Sequence, residues 1–391
     1  MTTWHEARDI AAALGRDAPT RVLTVPLARA AGLTLAGDVR CERPLPRFDN
    51  SAMDGWAVAG DGPWQVGEPV LAGSIPPSIP LEPGQARPIA TGAPVPPGTL
   101  TVLRSEDAIC EPEGDGSVID ALGTPDPGCD IRREGEEAAT GDTLLTRGAV
   151  LSPPGIGLLA AAGVTEVDVS APPLVTFVAI GDELGAPELD PGHVTDSLTP
   201  MMPSLLAALG ARCATTARAL DRPGDVATAI RRARTETIVT SGGTAHGPAD
   251  PLRAALDRLE ARVLIDGVDL RPGGSVLLAR LPDGRHVLSL PGNPLAAVIA
   301  LLTVGWPLLQ ARIGRDVPAA TPCTAGLHAG LAGIAAADGR ERAVACVLED
   351  GILTPVPHQR SGMLRGIAAA THLAMIRGSH GELLRLPWAC V

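Results

Sequence analysis

Apolar positions recur at helical spacing from the start of the chain. Thr3 followed by Glu6 is a capping-box pattern, and Ala7, Ile10, Ala11 and Leu14 share one face. The spacing predicts a helix beginning near Trp4, and 22–30 reads as a continuation of this helical, surface-packed arm. Beyond Cys41 the helical period disappears. Pro and Gly crowd RPLPRF, IPPSIPLEPG and TGAPVPPGT, and short apolar runs such as 101–103 and 117–119 lie between turns. Because Pro is excluded from helix interiors, 41–139 is expected to be a small β-rich domain.

A different pattern begins after a short predicted helix at 153–162. Residues 174–180 are almost continuously apolar, as in a strand buried on both faces. Helices are then expected at 197–209, 224–234 and 251–259, alternating with strands at 212–217, 237–240 and 262–265. Such a series implies a parallel sheet with helices on both faces. Pro282-Asp283-Gly284 predicts a hairpin between 276–281 and 285–290. A long helix follows from Pro294 to about Ile313, with a kink expected at Pro307. Short strands return at 323–326, 342–348, 352–356, 372–376 and 382–386, which suggests a C-terminal β-domain.

Composition narrows the chemistry. The 391 residues include 45 Gly and 38 Pro, yet 45% are hydrophobic, so the chain is folded and rich in loops. There is no Lys, which removes a P-loop and a pyridoxal Schiff base. Tyr is absent and aromatics are 2% of residues, too few for a base-stacking surface. A net charge of −12 argues against general affinity for nucleic acid or anionic membrane. Seven cysteines without a C-x-x-C spacing suit a reducing cytoplasm rather than a zinc ribbon. The apolar run 295–309 is interrupted and short for a membrane span, so it is read as a buried helix.

Four stretches carry chemistry. Ser241-Gly242-Gly243 follows a predicted strand and leads through His246 to Asp250-Pro251, an N-cap with Pro at the first helical position. Leu290-Pro291-Gly292-Asn293-Pro294 opens a second helix in the same way. Helix starts offer N–H groups to anions, although both stretches also read simply as tight, well-capped turns. Gly181-Asp182-Glu183 ends the first buried strand, and carboxylates there suit Mg²⁺ with phosphate co-ligands or a solvated turn. Residues 47–58, with Asp49, Asn50, Ser51 and Asp54, read as an ordered loop entering a strand at Trp56.

DNSAMDGWAV (49–58), ATGAPVPPGT (90–99), DIRREGEE (130–137), AIGDEL (179–184), SGG-x3-G-x2-D (241–250), LRPGG (270–274) and LPGNP (290–294) occur in one order and spacing, with RSGMLRGIAAATHLA (360–374) behind them. The chain resembles the molybdopterin molybdenumtransferases, the MoeA and gephyrin E-domain family, over nearly its whole length. The resemblance implies an α/β plus β, multi-domain fold. An extended linking domain would span 1–40 and 140–172. A small β-rich domain at 41–139 would carry DNSAMDG, and a MogA-like molybdopterin-binding α/β domain with a mostly parallel sheet would span 173–316. A C-terminal β-domain would occupy 317–391.

The implied reaction is insertion of molybdate into adenylylated molybdopterin with release of AMP, aided by Mg²⁺ or a similar cation. The implied setting is a cytoplasmic homodimer, with the molybdopterin adenylyltransferase and recipient molybdoenzymes as partners. Its cleft would form between the α/β domain of one subunit and the DNSAMDG domain of the other. The matching positions imply that Asp54, Asp250, Glu183 and Glu137 are catalytic, the first three also holding the metal. Thr91, Ser241, Gly242, Gly243, Asp196, Ser197, Arg271, Pro291, Gly292, Asn293 and Pro294 would bind substrate.

The chain departs from the family pattern at several places. Glu137 replaces an Asp, Leu198 an Asn, Ala245 a Ser and Pro248 a Glu. Gly274 stands where relatives carry a Lys, which removes a cation, so Gly274→Arg is expected to tighten molybdate or nucleotide binding. The same departures leave a second reading open, a weakened paralogue that holds molybdopterin or molybdate as a scaffold or carrier.

Overall fold

The computed structural model describes residues 2–18, 20–75, 78–114, 116–185, 192–243, 251–323, 331, 339–378 and 380–389. Contacts gather the chain into two compact units, Met1–Leu23 with Val169–Val391, and Thr24–Asp168.

The first unit is built on a six-stranded sheet. Its order is Arg212–Ala219, Leu174–Ile180, Thr237–Ser241, His286–Leu290, Leu277–Arg280 and Arg262–Asp266. The first four strands run parallel, in the pairings Phe177 with Val239 and Val239 with Leu288. The three inner ones, Leu174–Ile180, Thr237–Ser241 and His286–Leu290, are buried on both faces, which is why 174–180 lacks a polar alternation. The expected hairpin is present between Leu277–Arg280 and His286–Leu290.

Two expectations about strands and helices are corrected. Arg262–Asp266 follows the helix Pro251–Arg258 but pairs antiparallel with Leu277–Arg280 at the sheet edge, so it does not complete a parallel crossover. Residues 22–30 are not helical. Val22–Pro26 is a strand followed by a 3₁₀ turn at Leu27–Arg29. The run Val22, Leu23, Thr24, Val25 and Pro26 joins β-favouring residues to a Pro that lacks a donor, which suits a strand end.

The N-terminal helix Trp4–Asp17 forms as expected, with both halves of the Thr3–Glu6 capping box in place. It packs on the helix Trp306–Arg312. Gly15 permits that approach, since a Cβ there would collide with Leu308 O and lie 2.9 Å from the Ala311 methyl. The long helix from Pro294 is buried on all sides. It passes from α-helix at Pro294–Ala300 through a π-helical stretch at Leu301–Gly305 before resuming at Trp306–Arg312. This register change lies just before Pro307, which has no N–H to donate to the preceding turn.

A second sheet in this unit runs Leu270–Arg271, Glu341–Glu349, His372–Arg377, His380–Arg385 and Thr321–Pro322. Its first strand belongs in sequence to the α/β part. Leu270 and Arg271 pair in parallel register with Glu341 and Arg342. That pairing places 270–275 against the C-terminal strands.

The second unit holds another six-stranded sheet, ordered Thr101–Arg104, Gly55–Val58, Gln85–Ile89, Trp64–Val66, Gly116–Ala121 and Ala108–Glu113. Alternate residues bury opposite faces. Ala57 and Val102 join one cluster, and Val58 and Leu103 another.

Candidate functional site

Three parallel strands end together at a cleft of ≈ 510 Å³ lined by Ile180, Ser241 and Pro291. Glu183, Asp196, Ser197, Gly242, Gly243, Gly292, Asn293 and Pro294 complete much of its wall. The sequence-predicted residues of this unit that surround the strand ends therefore converge, as open parallel sheets favour. Gly242 is required by a close approach. Its φ is +87°, a Cβ there would collide with Ile180 O, and its N–H donates to Leu290 O at 3.1 Å.

Neighbouring groups hold the carboxylates in place. Asp196 Oδ1 accepts from the N–H groups of Leu198 and Thr199 at 3.0 and 2.9 Å, so Asp196 caps the helix Leu198–Ala208. Glu183 folds back over Gly181, its carboxylate 2.6–2.8 Å from where a Gly181 Cβ would stand. The turn carrying Glu183 is strapped by the adjacent strand. Asp182 N–H donates to Asp221 Oδ2 at 3.0 Å, and Asp221 N–H donates to Asp182 Oδ1 at 3.1 Å. Arg218 donates to the carbonyls of Gly181 and Leu184. Arg218 and Asp221 were not singled out from sequence, since nothing local marks residues that act through another loop. Asp221→Ala is expected to slow turnover up to about tenfold, the net value of one ordinary solvent-exposed hydrogen bond, whereas Asp221→Asn keeps the acceptor and stays near wild type. Steady-state kinetics on both variants checks this, and equal rates for the two would remove the positioning role.

A second cleft of ≈ 820 Å³ shares Ser275, Pro291 and Asn293 with the first. Arg271, Arg340, Arg342 and Arg360 line it together with Gln359 and Ser361, and no acidic residue is among its described lining residues. Arg271 and Arg342 are register partners on adjacent parallel strands. Their Cα atoms are thus about one strand spacing apart, roughly 5 Å, and both side chains leave the same face of the sheet. Like charges on adjacent strands are unfavourable, and an anion in the cleft would offset them. Arg342 Nε is buried with no hydrogen-bond partner among the described residues. Arg340 also reaches Asp269 Oδ1 at 4.0 Å. Arg340, Arg342 and Gln359 were missed from sequence because they lie far along the chain from Arg271. Arg360 and Ser361 were visible only as part of the motif at 360–374.

Two expectations about anion binding change. The start of the helix at Pro294 does not leave its first donors open, because the N–H groups of Leu295 and Ala296 donate to Ser361 O at 2.9 and 3.2 Å. Positive charge at this end of the unit therefore comes from arginines rather than from that helix start. Nor does Gly274 mark a vacant position for a cation. A Cβ there would lie 2.5 Å from Val268 O and closer still to Leu270 O. Gly274→Arg is therefore not expected to tighten anion binding. Gly274→Ala should destabilise this unit by about 1–3 kcal/mol, the usual cost of overpacking against fixed atoms, read from its denaturant midpoint.

The second unit brings together another predicted pair. Asp54 lies just before the strand Gly55–Val58, and Thr91 lies just after Gln85–Ile89. These strands are antiparallel neighbours with Gly55 opposite Ile89. Asp54 Oδ1 accepts from Thr91 N–H at 2.7 Å and from Thr91 Oγ1 at 3.0 Å. Those bonds, the backbone one foremost, hold the exposed carboxyl below its ordinary pKa. Glu137 is exposed in the same unit, and its N–H donates to Leu45 O at 2.9 Å. Asp250 and His246 lie outside the described residues. Among the described residues, no three His, Cys, Asp or Glu side chains gather as a metal site.

Comparison with known proteins identifies the family. Residues 2–163 match the MoeA N-terminal region, domains I and II, and residues 176–311 match the probable molybdopterin binding domain. A curated molybdopterin molybdenumtransferase 2 of Mycobacterium tuberculosis is 33% identical over 317 residues, covering 76% of this chain and 77% of its own. The chain belongs to the molybdopterin molybdenumtransferase family. A molybdopterin molybdenumtransferase of Synechococcus elongatus is likewise 33% identical over 312 residues, covering 75% of this chain and 76% of its own. The fold of this transferase is shared with a solved molybdopterin biosynthesis MoeA protein from Pyrococcus horikosii, with a TM-score of 0.78 at 22% identity, covering 99% of each chain. The enzyme is thus a transferase of molybdenum cofactor biosynthesis, with an α/β plus β, multi-domain fold.

Proposed function

We propose that the enzyme inserts molybdate into adenylylated molybdopterin and releases AMP. The observation that supports this most directly is the junction of the two clefts. A four-arginine cleft with no acidic residue among its described lining adjoins a strand-end cleft rich in glycine backbone and carboxylates. A tetrahedral dianion suits the guanidinium groups, which grip oxyanions through paired N–H bonds. A phosphorylated ligand suits the strand ends, where Gly242 and Gly243 let backbone approach closely. Ser275, Pro291 and Asn293, common to both clefts, set the two substrates side by side.

In the proposed reaction an oxygen nucleophile adds to a phosphorus of the phosphoanhydride. The bond from that phosphorus to the bridging oxygen breaks and AMP departs with the oxygen, while the two thiols of the pterin bond molybdenum and their protons leave with one molybdate oxygen as water. Arg271 and Arg342 hold the oxyanion in place, and the arginine cleft offsets negative charge that accumulates in the transition state. Two carboxylates, Glu183 and Asp196, line the strand-end cleft. Asp196 has one oxygen occupied by its helix cap. Such a donor set fits Mg²⁺, which is commonly held by one or two carboxylates and by substrate phosphates. When bound, the cation would neutralise phosphate charge. Of the three ligands implied by resemblance, Glu183 is kept in this proposal. Asp54 and its Thr91 partner would be supplied by a second copy of the chain in a homodimer. The four-part domain division and a cytoplasmic setting are retained as part of the same proposal.

The test uses purified enzyme with adenylyl-molybdopterin, molybdate and Mg²⁺. AMP release that depends on molybdate is expected. Intact adenylyl-molybdopterin after incubation at physiological molybdate would overturn the reading. Light scattering on the same preparation should give the mass of two chains.

A further inference from the structure

We infer that the opposite end of the central sheet carries a separate site for a small tetrahedral oxyanion of the phosphate class, gripped by Arg312 with Arg21 and Arg212. This site does not rest on the proposed transfer reaction. Leu174 begins the strand that ends at Ile180 in the strand-end cleft, and Arg212 begins the strand beside it, so the two places are a strand length apart, roughly 20 Å. Here a small cleft of ≈ 160 Å³ is lined by Thr20, Arg21, Arg212, Glu236 and Arg312 with a proline-rich wall.

The central observation is the state of Arg312. Its side chain is only 6% exposed, yet its ion-pair partner is Glu236, 3.1 Å away and 53% exposed. A guanidinium has five donors in a rigid fork, and burying one calls for more than a single solvated carboxylate. The Arg312–Glu236 pair also borders a neighbouring cleft of ≈ 190 Å³, where Arg280 and His286 lie beside the internal pair Asp283–Arg285 and Asp17. His286 Nδ1 is buried there with no partner.

Three arginines and one glutamate thus line the smaller cleft, on a protein whose net charge is −12, and of the three it is Arg312 that pairs with Glu236. An oxyanion entering it displaces Glu236, which returns to solvent at little cost because it is already half exposed. In exchange the buried guanidinium gains paired bonds to one compact anion. The cleft has room for an ion of phosphate size.

Calorimetric titration of the full-length enzyme with inorganic phosphate tests the site. Glu236→Gln removes the competing carboxylate and should tighten phosphate binding by roughly tenfold. The double variant Arg21→Gln with Arg212→Gln, at two exposed positions, should weaken it by at least about tenfold. Arg342→Gln should leave this binding event unchanged, which separates it from the arginine cleft. AMP affinity should not respond to Glu236→Gln. If phosphate affinity is the same in wild type, Glu236→Gln and the double variant, or if no binding appears at tens of millimolar, the inference is wrong. A matching response to AMP would overturn the assignment to a free anion.

Discussion

Arg342→Gln should raise the KM for molybdate roughly 10- to 100-fold, the range of one desolvated charge-assisted contact. Arg342 stands in register with Arg271, lines the same cleft, and has a buried Nε with no hydrogen-bond acceptor among the described residues. Its replacement therefore leaves no orphaned acceptor behind. In the absence of anion the variant should be slightly more stable than wild type, because a like-charge neighbour has been removed. Molybdate should stabilise wild type against heat much more than it stabilises the variant. Arg342→Lys keeps the charge without the planar fork and should recover only part of the affinity. A molybdate KM unchanged in Arg342→Gln would mean that this cleft does not hold the oxyanion. The same residue bears on the weakened-paralogue reading, which rested chiefly on the missing cation at Gly274. Gly274 has no room for a side chain, and Arg342 brings a guanidinium into the same cleft from the paired strand.

Acidification from pH 6.5 to about 4 should cost about 3 kcal/mol of stability through His286 alone. The ring is 3% exposed. Burial foremost, then Arg312 and Arg280, lower its pKa from 6.5 to about 4. The acids Asp17, Glu236 and Asp283 also line the adjoining cleft. Because the folded pKa lies below the unfolded one, the unfolded chain takes up the proton first as pH falls. Stability is therefore complete above pH 6.5, declines through the window, and levels off below the folded pKa. His286→Gln stays neutral, so its denaturant midpoint should change less between pH 7 and pH 4. Parallel pH profiles for the two proteins would show that His286 does not titrate in this way.

Much of the α/β part was legible from sequence because its signals are local. Caps, apolar runs and the Pro282-Asp283-Gly284 turn act within a few residues, and the carboxylates and glycines after strands 174–180 and 237–241 necessarily emerge at strand ends. Asp54 and Thr91 were matched by motif, and their meeting follows from two neighbouring antiparallel strands. Helix 22–30 failed because its apolar spacing suits a short strand equally well, and the β-favouring run closed by Pro26 tips the balance to the strand.

The sequence by itself determined which segments are helix or strand over most of the chain, and which motifs end the parallel strands, since these depend on side-chain period and on near neighbours. The tertiary structure alone decided that 270–271 joins the C-terminal sheet, that 262–266 runs antiparallel, and that Ser361 closes the helix start at Pro294. The physical reason is that pairing direction and the charge of a cleft are set by residues far apart in the chain. Their encounter depends on how whole surfaces pack, which no local pattern records.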